Sequence, residues 1–376
     1  MTSKRPYNFA PGPAVLPEPV LEKAAEQMLS WGGSGMSVME MSHRGPLFTG
    51  IHERAIADLK ELLGLDDDFE VLFMQGGATA QNAIVPMNLL AKNPKADFVH
   101  TGHWSAKSIA ETKKYGDSHV VATAEPEWGE VASFGYVPPV SQWSPRGQAA
   151  YLHICGNETI GGVEYHQWPD MAGLGLNKVP LVVDMSSHIL SRPMDFSGIA
   201  LAYGGAQKNI GPSGLTFVIL KRSLIEEHAP QAMAICPSVF DYRKVLENNS
   251  LLNTPSTFAI YIAGLVFDWL KTQGGVAAMG EVNAKKAGLV YALIDGSDFY
   301  SSRVHQANRS FMNIPFFLPD DRLYEPFLKG AQASGLLNLK GHKAVGGLRA
   351  SLYNAMPLEG VEALVGYMRR FEKEQG

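Results

Sequence analysis

Seven apolar runs bounded by turn residues, EVLFM, DFVH, HVVAT, AAYLHI, PLVVDM, IALAYG and LTFVIL, fall between residues 70 and 220, and several alternate with helix-like stretches. Runs that are apolar throughout, without strict alternation, suit strands covered on both faces. The pattern therefore predicts an α/β domain with a mostly parallel sheet flanked by helices. LTFVIL follows IALAYG after a Gly/Pro loop too short for a parallel crossover, which makes those two strands antiparallel neighbours.

From about Pro255 the texture changes. STFAIYIAGLVFDWLKTQGG reads as a helix with Ser256 near its N-cap and Gly274 and Gly275 past its end, placed to bridge two domains. VAAMGEVNAKKAGLVYALID follows as another helix, RSFMNIPFFL and GGLRASLY as strands, and LEGVEALVGYMRRFEKEQ as a closing helix, together a smaller α+β domain. A length of 376 residues is about two domains, and 45% hydrophobic residues suffice for a large core.

Charge and cysteine usage narrow the partners. The net charge of −5 arises from interspersed acids and bases, with no Lys/Arg cluster of the kind a nucleic-acid backbone demands. Cys155 and Cys236 make at most one bridge, which fits a reducing compartment, and both read as packing residues. The N-terminal MTSKRPYNFAPGPAVLP has basic residues with no apolar stretch behind them, so it is no signal peptide. FAIYIAGLVFDWL is broken by Asp268 and too short to span a bilayer. A soluble cytoplasmic chain is expected, with no nucleic-acid or membrane partner and no metal.

Within this frame one lysine needs explaining. LAYGGAQKNIGPSGLTFVIL places Lys208 between two strand-like runs, where it is either a solvated turn lysine or an amine with a chemical task, since an unpaired ammonium is disfavoured when desolvated. Four other stretches bear on the choice. In QGGATAQNAIVPMNLL a strand runs into Gly76 and Gly77 and then a helical pattern, which is a tight turn or an anion cradle of free N–H groups. In LVVDMSSH, Asp184 ends an apolar strand, as a helix cap or as the partner of a protonated ring nitrogen. In TGHWSAKS, Trp104 enters a helix, as core or as a stacking surface. ICGNETIGG offers Asn157, Glu158 and Thr159 at yet another strand end. Polar groups at several strand ends converge on one crevice. One ligand accounts for all of them, pyridoxal phosphate: its phosphate suits a helix N-terminus, its ring an aromatic face, its pyridine nitrogen a carboxylate and its aldehyde a lysine. Lys208 is then the Schiff-base residue.

These stretches, with NFAPGPAVLP, MSHRG, NTPSTFAIY and GHKAVGGLRASLYNAMPLEGV in the same order and spacing, resemble the phosphoserine aminotransferase family of class V, fold-type I enzymes over essentially the whole chain. The resemblance implies a large domain, residues 17–260, with a mostly parallel seven-stranded sheet. It implies a small C-terminal domain, residues 261–376, with residues 1–16 packing near it, and a homodimer with active sites at the interface. It makes Lys208 and Asp184 the catalytic pair, with Trp104 stacked on the cofactor ring and Thr159 bonded beside it. Ala78, Thr79 and Gln207 would hold the cofactor phosphate, joined by Asn253 and Thr254 of the partner subunit. Arg349 would receive the substrate α-carboxylate as a bidentate fork. His342 and Lys343, with His43 and Arg44 of the partner subunit, would receive the phosphate or side-chain carboxylate.

The implied reaction moves the amino group of L-glutamate to 3-phosphooxypyruvate, giving 2-oxoglutarate and O-phospho-L-serine. The phosphorylated four-carbon 2-oxo acid of pyridoxine synthesis is a further implied substrate. Three positions depart from some relatives, which carry arginine in place of Thr79 and of Lys343 and serine in place of Pro11. Rival readings are another class V enzyme, such as an alanine–glyoxylate aminotransferase or a cysteine desulfurase, and a cofactor-binding protein without turnover. A desulfurase needs a mobile catalytic cysteine, and neither Cys155 nor Cys236 suits that.

Overall fold

A computed structural model describes residues 5–129 and 131–376. All seven apolar runs are strands of one sheet: β1 (Phe69–Met74), β2 (Lys95–His100), β3 (Asp117–Thr123), β4 (Tyr151–Cys155), β5 (Leu181–Asp184), β6 (Leu201–Gly205) and β7 (Thr216–Lys221). Their spatial order is β1-β7-β6-β5-β4-β2-β3. Every pairing is parallel except those of β7, which runs antiparallel to both β6 and β1. The short Gly/Pro loop into β7 thus made the antiparallel neighbour it predicted. Six strands point the same way, so their carboxyl ends share one edge of the sheet.

Alternate residues of each strand enter different cores, as the two-residue period of a pleated strand requires. Val71, Phe73, Leu152, Ile154, Val183, Phe217 and Ile219 face one side, where they meet α2 (Pro46–Leu63) and α5 (Thr257–Thr272). Leu72, Met74, Tyr151, Val182, Tyr203, Val218 and Leu220 face the other. There they meet α3 (Gly77–Leu89) and α4 (His103–Thr112). A short helix, α1 (Glu18–Glu26), leans on α5. Because both faces are covered, the strands could be apolar at nearly every position.

The bridge between cores lies one helix later than the sequence suggested. The apolar residues of α5 from Ala259 to Leu270 belong to the first core. It is α6 (Gly275–Asp295) that spans the gap: Val276 and Met279 join the first core, while Ala287, Val290, Tyr291 and Ile294 join a second. That second core is built with α7 (Tyr324–Ala333), α8 (Leu358–Gln375) and an antiparallel pair, β8 (Asn313–Phe316) and β9 (Leu348–Ser351). Phe9 is buried in it, and Tyr7–Asn8 pairs in parallel with Leu336–Leu337.

Lys286 on α6 is fully buried, and its Nζ donates to the carbonyls of Leu352 (2.8 Å), Tyr353 (3.0 Å) and Met356 (3.0 Å). Burial pushes its pKa down to about 7. Three carbonyls satisfy the buried ammonium, and in return the turn after β9 is held against the junction helix.

Candidate active site

The carboxyl edge of the sheet opens into a cavity of about 570 Å³ lined by the loops after β1, β2, β4, β5 and β6, with Pro11 and Gly12 from the N-terminal segment and His342 and Arg349 from the second core. Such a crevice is where ligands bind in open α/β sheets.

The loop after β1 turns into α3 at Gly76, whose φ of +98° is left-handed. A side chain there is excluded twice, because a Cβ would also lie 2.5 Å from the Ala80 Cβ. The N–H groups of the first helical turn, at Gly77, Ala78 and Thr79, have no intrahelical acceptor and border the cavity. Nothing lies within 4 Å of where a Gly77 Cβ would be, so the cradle is open.

Lys208 sits in the turn after β6, where the N–H groups of Lys208, Ile210 and Gly211 all donate to the Ala206 carbonyl. Its stem is covered by Gly12: a Cβ at that position would meet Lys208 Cγ at 3.4 Å, and Ala14 N–H donates to the Gln207 carbonyl. The amine donates to Thr159 Oγ1 at 3.0 Å. Burial pushes the Lys208 pKa down, opposed by the negative charge of Asp184. A less basic amine is the form that attacks a carbonyl and moves a proton.

Asp184 ends β5, buried. Its Oδ1 accepts from the Ser186 N–H (2.9 Å) and hydroxyl (2.5 Å), a local Asx turn. No protein donor engages its other oxygen, and the residue lines the cavity. Burial raises its pKa while the two Ser186 bonds and the Lys208 charge lower it.

Trp104 enters α4 beside the cavity, with the Lys107 ammonium 4.5 Å and the Lys208 ammonium 5.7 Å from its ring centroid. Arg349, on β9, is buried; its Nη1 donates to the Thr159 carbonyl at 3.2 Å, and its Nε has no partner. Burial lowers its pKa. The His103 and His342 rings stand 5.6 Å apart. Burial lowers the pKa of each, and the charge of Lys107 acts in the same direction, joined for His342 by Arg349 and Lys343. The mouth of the cavity is therefore cationic.

Of the residues singled out by sequence, Ala78, Thr79, Trp104, Thr159, Asp184, Gln207, Lys208, His342 and Arg349 line this one cavity. His43, Arg44, Asn253, Thr254 and Lys343 do not. Asn253 instead borders a smaller space of about 280 Å³ on the far side of Gly76, and the Thr254 carbonyl accepts from Gln75 Nε2 at 3.1 Å. Lys343 is exposed beside His342.

Sequence reasoning took Cys155 for packing; it is buried and free, but it also lines the cavity. Pro11 lines it too, and its carbonyl accepts from the Tyr353 hydroxyl at 2.7 Å. Ser186 was overlooked, though the Asp-x-Ser spacing of DMSSH is a signal for a side chain bonded two residues on. The residues present fit pyridoxal phosphate: an open N–H cradle, a carboxylate with one uncommitted oxygen, a flat aromatic ring and a lysine of lowered basicity border a single space.

Comparison with known proteins gives a consistent picture. The aminotransferase class-V family profile matches residues 6–364. The phosphoserine aminotransferase of Bordetella parapertussis is 55% identical over 378 aligned positions, covering 99% of each chain. Among solved structures, the phosphoserine aminotransferase of Bacillus circulans subsp. alkalophilus superposes with a TM-score of 0.93 at 43% identity, covering 100% of both chains. That of Trichomonas vaginalis, solved with PLP bound, gives 0.89 at 38% identity, covering 97% of this chain and 100% of the other.

Proposed function

The chain belongs to the class-V aminotransferases, and from that membership we propose that it is a pyridoxal-phosphate-dependent phosphoserine aminotransferase, serving serine biosynthesis by exchanging the amino group between L-glutamate and 3-phosphooxypyruvate. The observation that carries the reading is the double use of Thr159. Its hydroxyl takes the Lys208 amine at 3.0 Å and its carbonyl takes the Arg349 guanidinium at 3.2 Å. A nucleophilic amine and a receptor for a carboxylate thereby stand one residue apart.

The cofactor, when bound, supplies an aldehyde that takes up the amino group and a ring that draws electrons from the substrate Cα. The chain does the rest. The N–H groups of Gly77, Ala78 and Thr79, with Gln207, hold the phosphate. Asp184, kept charged by Ser186, holds a proton on the ring nitrogen, and Trp104 covers one ring face. Arg349 grips the α-carboxylate and so aims the Cα–H at Lys208, whose neutral amine carries the proton away from Cα and returns it on the other side of the exchange. The cationic mouth formed by His103, Lys107, His342 and Lys343 suits the dianionic end of a phosphorylated substrate.

We read the active form as a homodimer in which His43, Arg44, Asn253 and Thr254 of the partner subunit complete the substrate and phosphate receptors. Two features support this: Arg44, Asn253 and Thr254 are exposed and outside their own chain's cavity, and the exposed apolar residues Leu29, Met39, Ile235 and Val239 lie close to them in sequence. A cytoplasmic site of action is supported by the two free cysteines. No helix among the described residues is long and apolar enough to cross a membrane.

The test is a pair of half-reactions followed by cofactor absorbance. L-glutamate should convert the cofactor to its aminated form, and 3-phosphooxypyruvate should restore it. Running O-phospho-L-serine against phosphohydroxythreonine and L-alanine ranks the acceptors. Conversion by alanine without conversion by phosphoserine would move the chain to another class V activity, and no spectral change with any amino acid would leave a binding protein.

A further inference from the structure

Glu158 is fully buried, adjacent to Thr159, yet it faces away from the cavity. Its Oε2 accepts from Trp104 N–H at 2.9 Å, and its Oε1 accepts from Ser105 N–H at 2.9 Å and Ser105 hydroxyl at 2.7 Å. All three donors belong to the first turn of α4. Both oxygens face donors, which is the pattern of a carboxylate, and a negative charge at a helix N-terminus is favourable. The Ser105 hydroxyl in turn accepts from Thr101 and Gly102 N–H at 3.0 Å each, closing the turn. Space for the carboxylate exists because residue 102 is glycine: a Cβ there would stand 2.7 Å from Glu158 Cδ and 2.9 Å from Oε2. The Gly102 φ of 164° is ordinary extended backbone, so close approach is what the glycine provides. The Glu158 backbone is itself fixed, paired with Val163 and accepting from Gly162 N–H at 2.7 Å.

We propose that Glu158 is a positioning residue for the aminotransfer site: its carboxylate fixes the first turn of α4, and through it the plane of the Trp104 indole against the bound cofactor ring. The inference rests on the function proposed above in placing that ring against Trp104. It gives the dipeptide Glu158–Thr159 one task on each side of the strand: Thr159 orients Lys208 and Arg349, and Glu158 orients Trp104.

Glu158→Gln keeps the shape but turns one acceptor into a donor. If the amide NH₂ faces Trp104 it meets an N–H at contact distance, and if it faces Ser105 it meets another, so the turn must shift. Gly102→Ala reaches the same end by pushing on an intact carboxylate. Both variants are combined with Trp104→Phe in a double-mutant cycle. The primary readout is the dissociation constant for pyridoxal phosphate from titration of the apoprotein, and the second is the circular dichroism that the bound cofactor acquires.

With Trp104 present, each variant should weaken cofactor binding by about tenfold, the scale of one charge-assisted hydrogen bond, and should diminish the cofactor dichroism. In the Trp104→Phe background the same changes should weaken binding by less than about twofold, because the group being positioned has gone. Equal fold-losses in both backgrounds would overturn the proposal and leave Glu158 a general structural residue, as would cofactor binding within twofold of wild type in both single variants. Should Glu158→Gln fail to fold, the Gly102→Ala cycle decides alone. A wild-type chain that takes up no pyridoxal phosphate would instead sink the proposed function, a result distinct from additivity in a chain that does.

Discussion

Replacing Asp184 by asparagine separates holding the cofactor from activating it. The carboxylate commits Oδ1 to the Ser186 N–H and hydroxyl and leaves its other oxygen to the cavity. In Asp184→Asn the amide oxygen keeps those two donors, so the side chain keeps its place and the NH₂ is forced toward the ring. A donor there cannot accept from a protonated ring nitrogen. Loss of one charge-assisted hydrogen bond, about 1.5–3 kcal/mol, should raise the cofactor dissociation constant by about tenfold to a hundredfold. The rate depends on ring protonation through the whole proton transfer, so kcat should fall further, by about a thousandfold or more. The unfolding midpoint of the apoprotein should hardly move, since the shape and the Ser186 bonds persist. Apoprotein titration gives the affinity, and single-turnover absorbance with L-glutamate at saturating cofactor gives the rate. If the rate loss does not exceed the affinity loss, Asp184 only anchors the ring, and the electronic role assigned to it is wrong.

Three other outcomes follow from the same geometry. Lys208→Ala should still bind pyridoxal phosphate through the N–H cradle and Asp184, while borohydride reduction and peptide mapping find label on Lys208 in the native chain and none in the variant; label on another lysine of the native chain would refute the assignment. Mixing Arg44→Ala with Lys208→Ala chains should restore about one good site per heterodimer, and no recovery after verified subunit exchange would contradict shared sites. His52, His153 and His188 are fully buried. Burial pushes the first two to about 4 and about 3, and the third well down. They stay neutral when folded and protonate once unfolded. Stability should therefore be complete above about pH 6.5 and fall as pH drops toward the folded values, by about 1.4 kcal/mol per pH unit per histidine. Urea midpoints that stay flat between pH 7 and pH 5 would show that these rings are not buried.

Much of the fold was legible because strands covered on both faces carry little polar sequence, and a five-to-seven-residue apolar run between turns has few other uses. The antiparallel placement of β7 was legible for a different reason: a loop holding Gly211, Pro212 and Gly214 cannot carry a chain back across a sheet. The junction was harder. The segments α5 and α6 are both apolar helices, and only the packing divides α6, with Val276 on one core and Val290 on the other. In the site, Asp184 and Lys208 could be read because their chemistry is unusual at a strand end. Glu158 could not be read in the same way. The strand alternation says that Glu158 and Thr159 point to opposite sides but not which side holds the cavity, and its partners lie more than fifty residues away.

The distance between Lys208 and Arg349 is the quantity on which aminotransfer depends, and it is set by the packing of two cores that the chain builds separately. Several ties cross that junction. Asn209, next to Lys208, accepts through Oδ1 from Asn354 N–H at 3.0 Å. The Asn354 amide NH₂ donates to the Leu190 carbonyl at 2.9 Å, and its oxygen accepts from Asn283 of α6 at 2.8 Å. Lys286, one turn further along α6, holds the carbonyls of Leu352, Tyr353 and Met356, so the turn that follows Arg349 is gripped from both sides. Polar groups this deeply buried and this fully paired fix one arrangement rather than many. The receptor for the substrate carboxylate is thus held at its station before any substrate arrives, and binding energy from the α-carboxylate is left to orient Cα rather than to assemble the site.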